Sequence, residues 1–363
     1  MKKFLLGVLA LLIVAFIAVA LALPGLAKSR INDSLAHLEG YKGHVDGVGF
    51  ALIVGRFTLK RLSIWDTTKG DFKLEVPKLT TRVSWGALLH RELVVDVEAD
   101  EPVITMVAPK PEKAAKKTAK KAQKAEANVE QKTGKTIGQE LQDLMPFRVN
   151  SFRIVDGAIV IKEGAANEQE AKKEPKGEQR PGQPVKLHDI DLVMRDLTNT
   201  SERQPATAKG KAEIAGGAIE LAMNLKPLEK QPTFDLRAEI KDVDLAQLDP
   251  LLRWQFNVDV KKGKFDLVSE VKAANGGFDG YVKPFIQDLE AGSTKHEGPI
   301  KKAKEIAVDV VAKVLENKKT KEVATKVPFS GRFDQPKTDI WTAVATVLSN
   351  AFIKALSPSF EKL

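Results

Sequence analysis

Apolar and polar residues alternate one by one along much of the chain, as they do in a β-strand with one buried and one solvated face. The alternation begins between Phe57 and Val107, recurs in a strand pair around Phe147 to Ile161, and is clearest after Val185. Its apolar positions in the clearest region are Ile219, Leu221, Met223 and Leu225, then Phe234, Leu236, Ala238 and Ile240, then Phe265, Leu267 and Val271. The sequence therefore predicts a mainly β protein.

Turn residues between these stretches indicate how the strands connect. Gly216-Gly217, Lys262-Gly263 and Gly276-Gly277 each stand where one alternating stretch gives way to the next. Such short connections join antiparallel neighbours, because parallel neighbours need a long crossover. We therefore expect a long antiparallel sheet with one apolar face.

Outside the first residues, apolar side chains recur at helical spacing in three places. Ile31, Leu35 and Leu38 predict a short amphipathic helix that ends at Gly40. A second amphipathic helix is predicted near 299–316, opened by Pro299. A third is predicted within 336–363, with an apolar face that includes Trp341, Val344, Leu348 and Phe352. The chain should thus end in two amphipathic helices.

The run from Phe4 to Leu23 is apolar and carries no charge, and Lys2 and Lys3 precede it. As a helix it would be about 30 Å long, the thickness of the hydrocarbon core of a bilayer. A transmembrane anchor over 1–27 is the favoured interpretation, and a cleaved secretory signal with Ala20-Leu21-Ala22 near the cut is the alternative. Both interpretations export everything after Leu26.

Two segments interrupt the strand pattern and divide the chain. Residues 109–145 form a linker or insertion rich in alanine and lysine, with few large apolar side chains to bury. A second insertion, near 164–184, is predicted to be disordered. The predicted regions are therefore an N-terminal β region over 28–108, a main β region over 146–335 and the C-terminal helix over 336–363.

Composition and motifs narrow the possible functions. The net charge of +9 comes largely from the lysine-rich linker, without the arginine and aromatic residues of a nucleic-acid surface, so no nucleic-acid partner is expected. The chain has no cysteine, and its five histidines are not at metal-ligand spacing on a common element. No catalytic or phosphate-binding motif is present. We expect a protein that is not an enzyme and has no cofactor or metal.

Six short stretches of the chain carry a resemblance to a known family. They are Leu62-Ser63-Ile64-Trp65-Asp66, Glu101-Pro102, Ile154-Val155-Asp156-Gly157-Ala158-Ile159, Gly277-Phe278-Asp279-Gly280-Tyr281-Val282-Lys283-Pro284, Phe329-Ser330-Gly331 and Asn350-Ala351-Phe352. With these stretches the chain resembles AsmA-like bacterial envelope proteins. The resemblance covers most of the chain outside the two insertions, and the C-terminal half is similar to a branch known only as a domain of unknown function.

This resemblance implies a single-pass protein of the bacterial inner membrane, with most of the chain in the periplasm and a sheet that curls into an apolar groove. It also implies a link to phospholipid transport or to outer-membrane assembly. About fourteen strands would make a sheet only about 65 Å wide, too short to join two membranes unless copies or partners stack.

Our first hypothesis is that phospholipid acyl chains bind in the groove, on the apolar face formed by the eleven alternating residues named above. Small residues on one strand, from Ala206 to Ala212, favour an open groove over close packing, although a helix packed there would explain them equally well. The second hypothesis is an assembly factor that binds outer-membrane proteins or copies of itself. It would use sheet edges or the helix that bears Trp341, Val344, Leu348 and Phe352.

Overall fold

The computed structural model confirms a mainly β protein: 74% of the residues that it describes are in strands, and few are in helices. It describes residues 24–38, 40–51, 54–67, 70–108, 146–163, 183–200, 204–226, 233–256, 258–293, 322–324 and 326–332. The strands are β1 (Tyr41–Ala51), β2 (Arg56–Asp66), β3 (Phe72–Val83), β4 (Leu93–Asp100), β5 (Val103–Ala108), β6 (Phe147–Glu163), β7 (Val185–Thr198), β8 (Ala206–Ile214), β9 (Gly217–Lys226), β10 (Thr233–Asp244), β11 (Val258–Ala274), β12 (Gly277–Ser293), β13 (Glu322–Ala324) and β14 (Val327–Arg332). The helices are α1 (Pro24–Ala36), α2 (Trp85–Leu89) and α3 (Asp249–Phe256).

All fourteen strands belong to one sheet, in which most neighbours in sequence are antiparallel neighbours in space. Strands β4 and β5 lie end to end beside β3 and β6, and β13 and β14 lie end to end beside β12. The sheet is therefore twelve positions wide, or about 53 Å at ~4.8 Å per spacing. The predicted width of about 65 Å was too large, because β4 and β5 together occupy one position in the sheet and β13 and β14 together occupy another.

The antiparallel prediction fails at one place, where β4 and β5 both pair with β6 in parallel. Phe147 begins β6 beside Leu93, whereas Ala108 ends β5 beside Glu163. The end of β5 and the start of β6 therefore lie about 50 Å apart along β6, at ~3.3 Å per residue. A long connection between two strands is what a parallel pair requires.

Two further details of the sequence analysis were wrong. The stretch around Phe147 to Ile161 is one strand rather than a pair, bent where Asp156 adopts a φ of 52°. Gly263 lies inside β11 at a shift in register with β12 rather than in a turn between strands. Both errors have the same cause, because a glycine or aspartate suits a β-bulge as well as a turn. The turns at Gly216-Gly217 and Gly276-Gly277 are confirmed.

Residues with positive φ occur at neighbouring positions on adjacent strands. Arg61 on β2 is followed across the sheet by Glu101 after β4, Asp156 on β6 and Asp189 on β7. A second set crosses β10 to β12 at Asp242, Gly263 and Asp288. Bulges bend a strand and increase its twist, so aligned bulges bend the whole sheet along a line.

Helix α1 packs on the first strands and also closes the outer edge of β1. Ile31 and Leu35 are buried with Val45 in a cluster that includes residues of β2, β3 and β4. The side chain of Asn32 accepts a hydrogen bond from the Val45 N–H (2.7 Å) and donates one to the Val45 carbonyl (3.2 Å). Asn32 thereby takes the place that a neighbouring strand would occupy. The predicted helix through Ile31 and Leu35 is confirmed.

No helix among the described residues is both long and apolar enough to cross a membrane. Phe4–Leu23, the core of the predicted anchor, lies outside the described residues, as do most of the two insertions. The predicted helices near 299–316 and within 336–363 also lie outside them. Helix α3, in contrast, is described and was not predicted.

Candidate functional site: an apolar face of the sheet

The eleven predicted residues of β9, β10 and β11 lie side by side in register. Leu236 of β10 is opposite Met223 of β9 and Val271 of β11. The other matched positions are Leu225 and Phe234, Leu221 and Ala238, Ile219 with Ile240 and Leu267. Phe265 continues the row beyond the bulge, opposite Val243. Because side chains on matched positions point to the same side of a sheet, these residues form one continuous apolar face.

Burial divides this face into a centre and two ends. Ile219, Leu221, Met223, Leu236, Ala238, Ile240 and Leu267 are half-buried, and we refer to these seven residues as the central band. Leu225, Phe234, Phe265 and Val271 are buried. The most accessible part of the predicted site is therefore the central band.

A packed cluster of strand residues borders the central band on one side. It contains Phe234, Val271 and Phe278, with Phe329 packed against it. Phe278 of β12 is opposite Gly331 of β14, and Phe329 is opposite Gly280 in the same pair of strands. A Cβ at Gly280 would lie 2.9 Å from the Phe329 ring, and one at Gly331 would lie 2.5 Å from Cε1 of Phe278.

Each aromatic ring therefore lies over the glycine of the neighbouring strand, with the two ring centroids 6.3 Å apart. Gly280 and Gly331 belong to the two C-terminal stretches that carry the family resemblance. Alternation predicted neither contact, because the alternating pattern does not specify which strands are neighbours.

A second cluster borders the central band on the opposite side. Val243, Leu245, Val260 and Phe265 are its buried members, and Leu252 of helix α3 packs against it. The carboxylate of Asp249, at the start of α3, accepts a hydrogen bond from the Val260 N–H at 2.7 Å. The helix is thereby fixed where β10 ends and β11 begins. Of the central band, Met223 and Leu236 pack against the first cluster and Ile240 and Leu267 against the second, whereas Ile219, Leu221 and Ala238 belong to neither.

The small residues of β8 lie on this same face, as predicted. Ala206, Ala208 and Ala212 are buried, and Gly210 is half-buried. A Cβ at Gly210 would lie 3.1 Å from Cδ1 of Leu192 on β7. The space beside Gly210 is thus filled by a side chain of the sheet itself, so this strand gives less support to an open groove than its sequence suggested.

Ser269 is a polar residue on this face that the sequence analysis did not include. It lies opposite Ala238 and is only 4% exposed. Its hydroxyl donates a hydrogen bond to the carbonyl of Tyr281 on β12, at 2.9 Å. Because its polar atom is satisfied by the backbone, Ser269 presents no free hydroxyl to a ligand.

Charged side chains cover the opposite face of the sheet. Lys78 pairs with Asp100 at 2.6 Å and Lys241 with Glu239 at 3.0 Å, and these hydrogen-bonded carboxylates raise the pKa of both lysines. Lys211 pairs with Asp191 at 3.0 Å and lowers the pKa of that carboxyl group. All six side chains are solvent-accessible, so these pairs contribute little stability. The sheet therefore has one solvated and one apolar face, as the alternation predicted.

His188, Asp189 and Glu213 form a small polar group on the solvated side. Asp189 adopts a φ of 50° at the bulge in β7, and Glu213 is opposite His188 on β8. Their nitrogen and oxygen atoms lie within 4.8 Å of one another, and Nδ1 of His188 is 2.8 Å from Oδ2 of Asp189. Spacing along the sequence did not indicate this group, because Glu213 comes from a neighbouring strand. The group lies at an accessible surface.

No model of a known protein family matches the chain, and a search of curated proteins finds no match either. The resemblance to AsmA-like proteins therefore stays a prediction. The predicted interface residues Trp341, Val344, Leu348 and Phe352 lie outside the described residues.

Proposed function

We propose that this chain is a lipid-binding protein of the bacterial inner membrane, with its sheet in the periplasm. Acyl chains of membrane phospholipids would lie on the central band, and the protein would contribute to lipid transport or to the upkeep of the cell envelope. The observation that carries this proposal is the row of half-buried aliphatic side chains between two packed clusters. Flexible hydrocarbon chains match such a surface, because it offers contact area without aromatic rings or free polar groups.

A line of bulges supports the same proposal. Asp242, Gly263 and Asp288 lie on β10, β11 and β12, at one end of the central band. A sheet that bends along this line toward its apolar side would shelter a bound chain on two sides. The uninterrupted solvated face on the other side indicates that only one side of the sheet is available for apolar ligands.

Two substitutions on β9 test the proposal with the same change of chemistry on opposite faces. Leu221 belongs to the central band but to neither packed cluster, and its neighbours Gly210 and Ala238 are small. We expect Leu221→Arg to remain folded and to lose co-purified phospholipid, because a guanidinium group in an acyl-lined site costs a few kcal/mol. The control is Asn224→Arg, on an exposed position opposite Asp235, which should retain its lipid.

The measurement is native mass spectrometry of the full-length protein, with circular dichroism for the folded state. Stoichiometric phospholipid on the wild type and on Asn224→Arg, but not on folded Leu221→Arg, would support the proposal. A wild type that carries no phospholipid, or a folded Leu221→Arg that keeps all of it, would rule it out. If Leu221→Arg unfolds, Ala238→Phe provides a neutral alternative that fills the band and should likewise expel lipid.

The alternative function is an assembly factor that binds outer-membrane proteins through a sheet edge. The β14 edge is the relevant surface, but Pro328 lies within it and has no N–H to offer an added strand. A specific outer-membrane protein in the same spectra, without phospholipid, would favour this alternative.

A further inference from the structure

Two large apolar side chains of the described residues are more than half exposed, and both lie at the same end of the sheet. Leu89, at the end of α2, is 86% exposed, and Val54, in the turn between β1 and β2, is 56% exposed. The Val83 N–H donates a hydrogen bond to the Gly55 carbonyl at 2.8 Å, which holds this turn beside the start of α2. We call Val54 and Leu89 the apolar tip.

Helix α1 points toward this tip. Leu35 packs over Gly43, where a Cβ would lie 3.2 Å from Cδ2 of Leu35, and Asn32 bonds to Val45. The helix is therefore roughly antiparallel to β1: residues nearer the start of the helix contact residues nearer the end of the strand. The start of the helix consequently lies toward the side of the sheet where β1 ends and the apolar tip begins.

Exposed arginines lie near the tip. Arg56 begins β2, opposite Arg82 and Ala51, and Arg91 follows the helix that bears Leu89. Arg82 also lies opposite Asp96 on β4, whereas the sheet register places no carboxylate opposite Arg56. Anionic phospholipid headgroups would pair with Arg56 and Arg91 at a membrane surface.

We propose that the apolar tip inserts into the headgroup layer of an anionic phospholipid bilayer, beside the predicted anchor. The sheet would then contact the membrane at two points and would be held at a fixed angle to it. This inference uses the predicted anchor at Phe4–Leu23 but does not depend on lipid binding at the central band.

Because the chain contains no cysteine, single labels can be placed without altering other sites. Val54→Cys and Leu89→Cys would each carry an environment-sensitive nitrobenzoxadiazole fluorophore. Thr67→Cys provides the control, on an exposed residue just past the opposite end of β2. Each full-length protein would be reconstituted into vesicles of phosphatidylethanolamine and phosphatidylglycerol that contain a doxyl-labelled lipid as quencher, and only protein that floats with the vesicles would be measured.

We expect several-fold stronger quenching and a blue-shifted emission at positions 54 and 89 than at position 67. We also expect Leu89→Glu to reduce quenching of the label at position 54 while leaving the melting temperature unchanged, because Leu89 is exposed. Equal quenching at all three positions would overturn the proposal, as would a label at position 89 that stays in water. Quenching at position 54 that is unaffected by Leu89→Glu would also overturn it.

Discussion

The paired aromatic rings and glycines at the edge of the candidate site make a stringent test of the fold. Replacing Gly331 by alanine would place a Cβ 2.5 Å from Cε1 of Phe278 and 3.2 Å from its Cε2. The ring has little room to withdraw, because Phe278 is only 4% exposed and packs on Phe329. Overpacking of this kind costs about 1–3 kcal/mol. For a domain of this size each kcal/mol lowers the melting temperature by about 2–4 °C.

The assay is thermal unfolding of the full-length protein followed by circular dichroism, with Ser330→Ala as the matched control. Ser330 is adjacent, exposed and on the opposite face, so its substitution should change stability by less than about 0.5 kcal/mol. The double variant Gly331→Ala with Phe278→Leu should recover part of the loss, because the smaller side chain makes room for the added methyl group. If Gly331→Ala were as stable as Ser330→Ala, or if the two changes were strictly additive, the proposed contact would be refuted.

Three further predictions concern other parts of the sheet. Asn32→Ala should cost about 1–3 kcal/mol in chemical denaturation, because two backbone groups at the β1 edge lose their partner, whereas exposed Ser34→Ala should cost little. Lys211 lowers the pKa of Asp191, so the stability that this carboxylate adds is present above the ordinary pKa of 3.8 and is lost as the pH falls through the lower folded pKa. In acid titrations the stability difference between wild type and Asp191→Asn should therefore close over that range. A constant difference would contradict this prediction. Deleting 113–132 would leave a connection that reaches roughly 60 Å when fully extended, barely more than the distance of about 50 Å between the end of β5 and the start of β6. We therefore expect this deletion to lower the melting temperature. Replacing the same residues by a glycine-serine sequence of equal length should not lower it.

The side of the sheet that each residue faces was the most predictable property of this chain. Phe57 and Leu59 are followed by Leu62 and Ile64, so the buried positions change from odd to even numbers at Arg61. That change coincides with the positive φ of 49° that Arg61 adopts in the structure. Alternation is a local property that follows directly from strand geometry, and for this reason it could be read from sequence.

The partners of each strand were less predictable, because they depend on contacts between distant parts of the chain. Nothing in the alternation of Val103–Ala108 shows that this strand pairs in parallel with residues beyond a long linker. Gly263 was assigned to a turn because glycine serves both turns and bulges, and only the register of β11 with β12 distinguishes them. Helix α3 is eight residues long, too short for its periodicity to stand out from the neighbouring strands.

The limits of the candidate site could not be read from sequence for a related reason. All eleven predicted residues occupy one face, but alternation alone does not separate the buried Val271 from the half-buried Leu221. That difference arises from Phe278 and Phe329 at one end of the face and from Leu252 at the other. These residues lie on other elements and reach the face only in the folded chain.

The closure of the β1 edge by Asn32 restricts how copies of this protein can join to one another. A sheet grows into an open-ended filament only when the two edges of each copy are both free to pair. Here one edge already has its central backbone groups bonded to a side chain of helix α1. Edge pairing between copies is therefore favoured at the other edge of the described sheet, formed by β13 and β14, and pairing of that edge with itself is complete with two molecules. A protein with so long a sheet is thereby protected against fibrous aggregation at the edge nearest its N-terminal helix.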